Sequence, residues 1–177
     1  MIAFDYEALI KDIPDFPKPG VIFKDVLPLL EDPQGFAAVV EGLAEPYRDA
    51  GVTKVVGSEA RGFMLGAPVA YCLGAGFVPA RKPGKLPREI VSQDYALEYG
   101  TAELQLHSDA LNADDKVLIV DDLIATGGTM VAQVKLIEAL GADLVGIACL
   151  MELEFFNPRG VLAAVTDKEL HSLMKVP

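Results

Sequence analysis

A chain of 177 residues, 51% hydrophobic and 23% charged with no polar low-complexity tract, has the makeup of one compact domain rather than a disordered polymer. At that length it can bury about two thirds of the surface its unfolded form exposes. A formal net charge of −11 argues against a general electrostatic grip on nucleic acid, which needs a basic face.

The first residues carry acids early, with no basic region ahead of a long apolar core, so they do not read as a signal peptide, and a cytoplasmic location is expected. A short helix is predicted from Tyr6 to Lys11 behind an Asp5 cap. Pro17, Pro19 and Gly20 then force an irregular segment before Val21 to Phe23. Asp32 and Pro33 suit the cap and first position of a helix running to about Glu45, where Pro46 ends or kinks it. Lys54 to Gly57 is the first convincing core strand.

Gly62 to Ala80 carries no charge over 19 residues, yet it is not a membrane span. Pro68 interrupts it, Gly74 and Gly76 mark a helix end, and the segment reads as a buried helix of roughly a dozen residues followed by a strand, Gly76 to Lys82. Pro83 to Gly100 suggests a long excursion with some extended character. Further strands are predicted at Leu104–His107, Lys116–Val120 and Ala142–Leu153, with a helix over Gly127–Leu140. Strands alternating with helices predict an α/β fold, a mostly parallel sheet covered on both faces, whose ligands collect at the carboxyl ends of the strands.

Cys72 and Cys149 lie far apart, without a C-x-x-C or a neighbouring histidine. They are expected to be core thiols in a reducing compartment rather than a disulfide or a zinc site. His107 and His171 have no metal-ligand spacing and read as surface or structural residues. Ala60 to Arg88 contains no Asp or Glu but holds Arg61, Arg81, Lys82, Lys85 and Arg88. On charge alone this is either a solvated patch or a site for a small polyanion.

The most informative stretch is VLIVDDLIATGGTM, Val117 to Met130. A β-branched run of the kind found in central parallel strands ends in Asp121 and Asp122, whose side chains alternation sends in different directions. Thr126, Gly127, Gly128 and Thr129 then open a helix, exposing N–H groups and hydroxyls suited to a phosphate. Neither a Walker A loop nor a G-x-G-x-x-G fingerprint is present. Paired acids before a phosphate cradle suit a ribose 5-phosphate, against the plainer reading of an Asp-ended strand with glycines chosen for backbone conformation.

VLIVDDLIATGGT resembles the phosphoribosyl pyrophosphate motif of the type I phosphoribosyltransferases. DFPKPGVIFKD near the N-terminus, ARKPGKLP at Ala80 to Pro87 and LEYG at Leu97 to Gly100 are similar, in order and spacing, to segments of the adenine phosphoribosyltransferases. The likeness runs from Asp15 to about Leu153. It implies a single domain over 1–177, with a small N-terminal hood at about 12–30 and a flexible catalytic loop at about 83–100.

By that resemblance Asp121 and Asp122 hold the ribose hydroxyls, and Ala125, Thr126, Gly127, Gly128 and Thr129 hold the 5-phosphate. Arg61, Arg81, Lys82 and Lys85 meet the pyrophosphate. Phe23 stacks on adenine while backbone groups of Ile22 and Lys24 read its edge, and Glu98 manages the purine proton with Tyr99 closing the loop. Read by itself, Phe23 could equally be a core residue and Glu98 a solvated one. Mg2+ is implied as the cofactor, held by substrate and water rather than directly by the protein.

The resemblance also implies a homodimer and a cis peptide at Glu59–Ala60, while the net charge and the interrupted apolar run lead us to expect no nucleic-acid or membrane partner. The chain departs from the family pattern at Lys24, where Arg is frequent, and at Glu59 and Ala60, where Asp-Ser is frequent. Transfer to another base, such as xanthine or hypoxanthine, and a non-catalytic sensor of phosphoribosyl pyrophosphate are the competing readings.

Overall fold

The computed structural model describes residues 4–96 and 100–177. Its centre is a five-stranded, wholly parallel sheet in the order β4-β3-β7-β8-β9, formed by β3 (Lys54–Ser58), β4 (Gly76–Ala80), β7 (Lys116–Ile124), β8 (Asp143–Leu153) and β9 (Leu170–Val176). The run Val117 to Val120 is fully buried because alternation sends its side chains into two different cores.

Leu118 and Val120 pack with Leu43 and Leu65, which belong to α2 (Pro33–Ala44) and α3 (Gly62–Leu73) on one face. Val117 and Ile119 pack with Val134 and Ile137 of α4 (Gly128–Ala139) on the other. Each such side chain removed from water contributes about 1.5–3 kcal/mol, which is why this strand takes the centre of the sheet.

Two antiparallel hairpins flank the sheet. β1 (Lys11–Pro14) pairs with β2 (Ile22–Asp25), and β5 (Ile90–Ala96) pairs with β6 (Thr101–His107). The second hairpin lays Leu104 and Leu106 on the α4 core. It replaces the loosely extended excursion expected at Pro83 to Gly100: residues 90–96 alternate in exposure, so one face of β5 has a core to cover.

The predicted opening helix contracts to one 3-10 turn, Glu7–Leu9, because Ile10 is extended and Lys11 enters the ladder opposite Asp25. Asp5 still accepts a hydrogen bond from the Ala8 N–H at 3.3 Å. Asp32 caps α2 by accepting from Gly35 N–H at 2.7 Å, and a five-residue helix, α1 (Leu27–Glu31), precedes it. Beyond Leu153 the chain forms α5 (Pro158–Ala163) and returns as β9.

Cys149 is buried, but Cys72 is only partly so. It packs at the margin of the core beside Glu41 and Arg48, which corrects the expectation of two core thiols. No helix among the described residues is long and apolar enough to cross a membrane.

Candidate active site

Because the central strands are parallel, Ser58, Ala80, Asp121 and Asp122 arrive at the same edge of the sheet. β7 continues through both acids to Ile124, since β8 still offers it a partner there. The acids therefore lie inside the ladder rather than past its end. Asp121 is 6% exposed and Asp122 4%.

Asp121 accepts hydrogen bonds from Ser58 Oγ and, at 2.9 Å, from the Asp122 N–H. Asp122 pairs with Arg61 Nε at 2.8 Å. Although alternation separates the two carboxylates, both line one cleft of about 320 Å³ together with Glu59, Arg61, Lys82, Tyr95, Leu123 and Thr129. Gly62 makes this possible: a Cβ there would stand 2.8 Å from Asp121 Oδ1.

Burial, and then the negative charge of Asp122, push the Asp121 carboxyl up to about 7, against the hydrogen bond from Ser58. Burial also raises Asp122, with the Arg61 guanidinium opposing it. Glu59 is held low, first by the hydrogen bond from Arg81 and then by the Lys82 N–H. A pair of carboxylates this dry favours any ligand that brings hydroxyl donors or positive charge into the cleft.

The turn from Ala125 to Thr129 closes the same edge. Gly127 holds φ +84 and caps α4, a conformation that suits glycine, and Thr129 reaches the cleft wall. A Cβ on Gly128 would lie 2.7 Å from the Ala96 carbonyl oxygen and 3.5 Å from Tyr95 Cδ2, so the β5 end of the hairpin rests directly on the turn.

The structure brings some predicted basic residues together and leaves others apart. Arg61 sits between Asp122 and the Phe23 ring, its guanidinium carbon 5.9 Å from the ring centroid. Arg81 Nε meets Glu59 Oε2 at 2.9 Å, and its guanidinium lies 5.8 Å from the Phe63 ring centroid. Lys82 lines the cleft and its N–H donates to Glu59 at 3.1 Å. Lys85 is exposed and outside the cleft wall, and Arg88 pairs with Asp109 instead.

In the first hairpin Ile22 is 61% exposed, and Phe23 is half-buried with its ring edge-on to Phe16 at 5.2 Å. Lys24 Nζ pairs with Asp12 at 2.7 Å. The peptides Phe16–Pro17 and Glu59–Ala60 are both cis. Glu98 and Tyr99 lie outside the described residues.

Sequence reasoning missed Ser58, the partnership of Glu59 with Arg81, and Leu123. Ser58 ends an apolar strand, and Glu59 is the last acid before the acid-free stretch. Those were the only local signals either residue offered.

Residues 29–165 match the phosphoribosyl transferase domain, so the sheet edge with its two acids and glycine turn belongs to that class. An adenine phosphoribosyltransferase of Aeromonas salmonicida is 58% identical over 147 residues, covering 83% of this chain and 81% of that one. The crystal structure of the Thermoanaerobacter pseudethanolicus adenine phosphoribosyltransferase superposes with a TM-score of 0.91 at 47% identity, covering 97% of this chain and 98% of that one. The Saccharomyces cerevisiae enzyme, crystallised with an imino-altritol bisphosphate and adenine, superposes at 0.87 with 35% identity, covering 95% and 96%. The chain belongs to the adenine phosphoribosyltransferase family.

Proposed function

We propose that this protein salvages adenine, converting adenine and 5-phosphoribosyl 1-pyrophosphate to AMP and pyrophosphate. The observation that carries the proposal is the meeting, in one cleft, of two dry carboxylates, the cationic side chains of Arg61 and Lys82, and Thr129 from the glycine turn that opens α4. Membership of the family supports the choice of reaction.

In this reading the ribose hydroxyls donate to Asp121 and Asp122, displacing Arg61 from Asp122. Arg61 then turns to the pyrophosphate with Arg81, Lys82 and Lys85. The 5-phosphate accepts from the backbone N–H groups of residues 125–129, where the α4 dipole favours an anion. Phe23 stacks on adenine, and the backbone of Ile22 and Lys24 reads its edge, so a 6-oxopurine leaves polar groups unpaired.

As the bond from C1′ to the pyrophosphate oxygen lengthens, the sugar gains positive charge and N9 attacks. Glu98 takes the purine proton, and the Tyr99 loop keeps water away. The buried carboxylates are placed to favour the cationic sugar.

Mg2+ suits this donor set of carboxylates, and bound with the pyrophosphate it supplies charge neutralisation of the leaving group. Asp121 and Asp122 would hold it indirectly, through ribose oxygens and water. Residues 1–177 act as one domain with a hood at about 12–30 and a loop at about 83–100. The protein works as a cytoplasmic homodimer.

The test offers adenine, hypoxanthine, guanine, xanthine and orotate separately with phosphoribosyl pyrophosphate and Mg2+, resolving the nucleotides formed. AMP from adenine alone supports the proposal. Another nucleotide overturns the assignment of the hood, and no nucleotide at all overturns catalysis. Glu98→Gln is expected to lower turnover far more than substrate binding, on the order of 10²-fold or more for a lost proton carrier; an equal fall in both would remove Glu98 from that role.

A further inference from the structure

Glu152 is 1% exposed at the carboxyl end of β8, and substrate binding as described makes no use of it. Arg159 Nε donates to its Oε1 at 2.8 Å and Arg159 Nη2 to its Oε2 at 2.7 Å. Ser172 Oγ, from β9, donates to the same Oε2 at 2.9 Å and receives a second bond from Arg159 Nη2 at 3.3 Å. A two-pronged pair of this kind fixes the plane of the guanidinium as well as its distance. Removing Arg159 would strand the Glu152 charge in the interior.

Arg159 lies in the first turn of α5, which Asn157 caps by accepting from the Gly160 N–H. The same helix lies alongside the proposed phosphate cradle. A Cβ placed on Gly127 would meet Val161 Cγ1 at 3.4 Å and the Pro158 carbonyl oxygen at 3.6 Å. Glu152 also stands opposite Ile124 in the β7–β8 ladder, just before the cradle begins. A closed circuit of neighbours results: β7 leads into the cradle, α5 lies alongside the cradle, α5 is tied by Arg159 to Glu152, and Glu152 is held beside β7.

We propose that Glu152, Arg159 and Ser172 position the phosphate cradle, clamping α5 behind Gly127 so that the backbone N–H groups of residues 126–129 keep the spacing an anionic sugar phosphate requires. Arg159 is a positioning residue, since it acts through α5 and not on substrate. The inference rests on the reading that this turn binds the 5-phosphate.

The experiment measures kcat and both KM values for the full chain and for Arg159→Lys, Arg159→Met, Val161→Ala and Tyr47→Phe, with melting temperatures in parallel. Tyr47 serves as the stability control: it is buried, donates to the Ile147 carbonyl at 3.2 Å, and belongs to the core on the face of the sheet opposite α4. Arg159→Met is expected to raise KM for phosphoribosyl pyrophosphate on the order of 10-fold, with kcat and the adenine KM within about twofold. Arg159→Lys keeps the charge but loses the fork, and should fall between.

Should Arg159→Met not fold, Val161→Ala carries the test, with an expected rise of about threefold in the same KM alone. Equal rises in both KM values, an unchanged KM for phosphoribosyl pyrophosphate, or the same split in Tyr47→Phe would each overturn the clamp. A wild-type protein that forms no AMP would instead sink the underlying reading, so the two failures are distinguishable.

Discussion

The cleft at the end of β7 and the hairpin of β1 and β2 handle polar groups in opposite ways. In the cleft, Asp121 and Asp122 are almost dry, and each has a named partner, Ser58 or Arg61. In the hairpin every β1 residue is exposed, Ile22 is 61% exposed, and Lys24 meets Asp12 at the surface. One region is held by the sheet on both sides; the other is a two-stranded ribbon, which has little independent stability. On the proposed function, preorganised, desolvated groups would take the sugar phosphate, and a ring and a strand edge would take the flat base. Cleft substitutions should therefore change both stability and activity, in the same or in opposite directions, while hairpin substitutions should move base affinity alone.

Gly128→Val should produce the largest effect. Its side chain would meet the Ala96 carbonyl, which is backbone and yields little, so turn and hairpin must separate. A misplacement of this order can cost about 10²-fold in kcat/KM for phosphoribosyl pyrophosphate. Retention of wild-type kcat/KM would show that the contact does not constrain the turn.

Asp121→Asn tests whether the cleft trades stability for function. With its pKa raised to about 7 from the ordinary 3.8, Asp121 contributes stability that is fully present below about 4 and lost as pH rises through about 7. In the Asn variant that slope should flatten. At pH 8, without ligands, it should melt higher by about 1–3 kcal/mol of stability while kcat/KM falls at least tenfold. A lower melting temperature at pH 8, together with an unchanged pH slope, would mean that the buried charge is already compensated.

Phe23→Leu should raise the adenine KM several-fold, consistent with about 0.5–1.5 kcal/mol for an aromatic contact, and leave the melting temperature and the KM for phosphoribosyl pyrophosphate nearly unchanged. Steady-state kinetics with each substrate varied would expose a shift in both constants, which the division between cleft and hairpin does not allow. Lys24→Ala should be the mildest change. Its ion pair with Asp12 is exposed, worth at most about 1 kcal/mol, and the proposed function uses only its backbone for the base; an adenine KM altered by much more than twofold would assign the side chain a direct role.

Much of this molecule can be read along the chain. The apolar run before Asp121, the glycines of the turn, the Asp32 cap and the Gly74 helix end all act through near neighbours, and each falls where local rules put it. The misread segments lacked that local control. Tyr6 to Lys11 has helical composition, but pairing with β2 offers Lys11 a ladder, and tertiary pairing overrides a weak propensity. Pro83 to Ala96 carries breakers that hid a hairpin, because only the α4 core gives one face of β5 a reason to be apolar.

The sequence by itself determined the parallel sheet, the edge that carries the paired acids and the residues of the glycine turn, since hydrophobic period and turn chemistry are local properties. Tertiary structure alone decided which groups share charge. Ser58 meets Asp121 across 63 positions, Arg81 meets Glu59 across 22, and Arg159 reaches Glu152 and Ser172 from a helix that backs Gly127. These partnerships depend on strand order and register, and electrostatic energy depends on distance and burial in space rather than on separation along the chain.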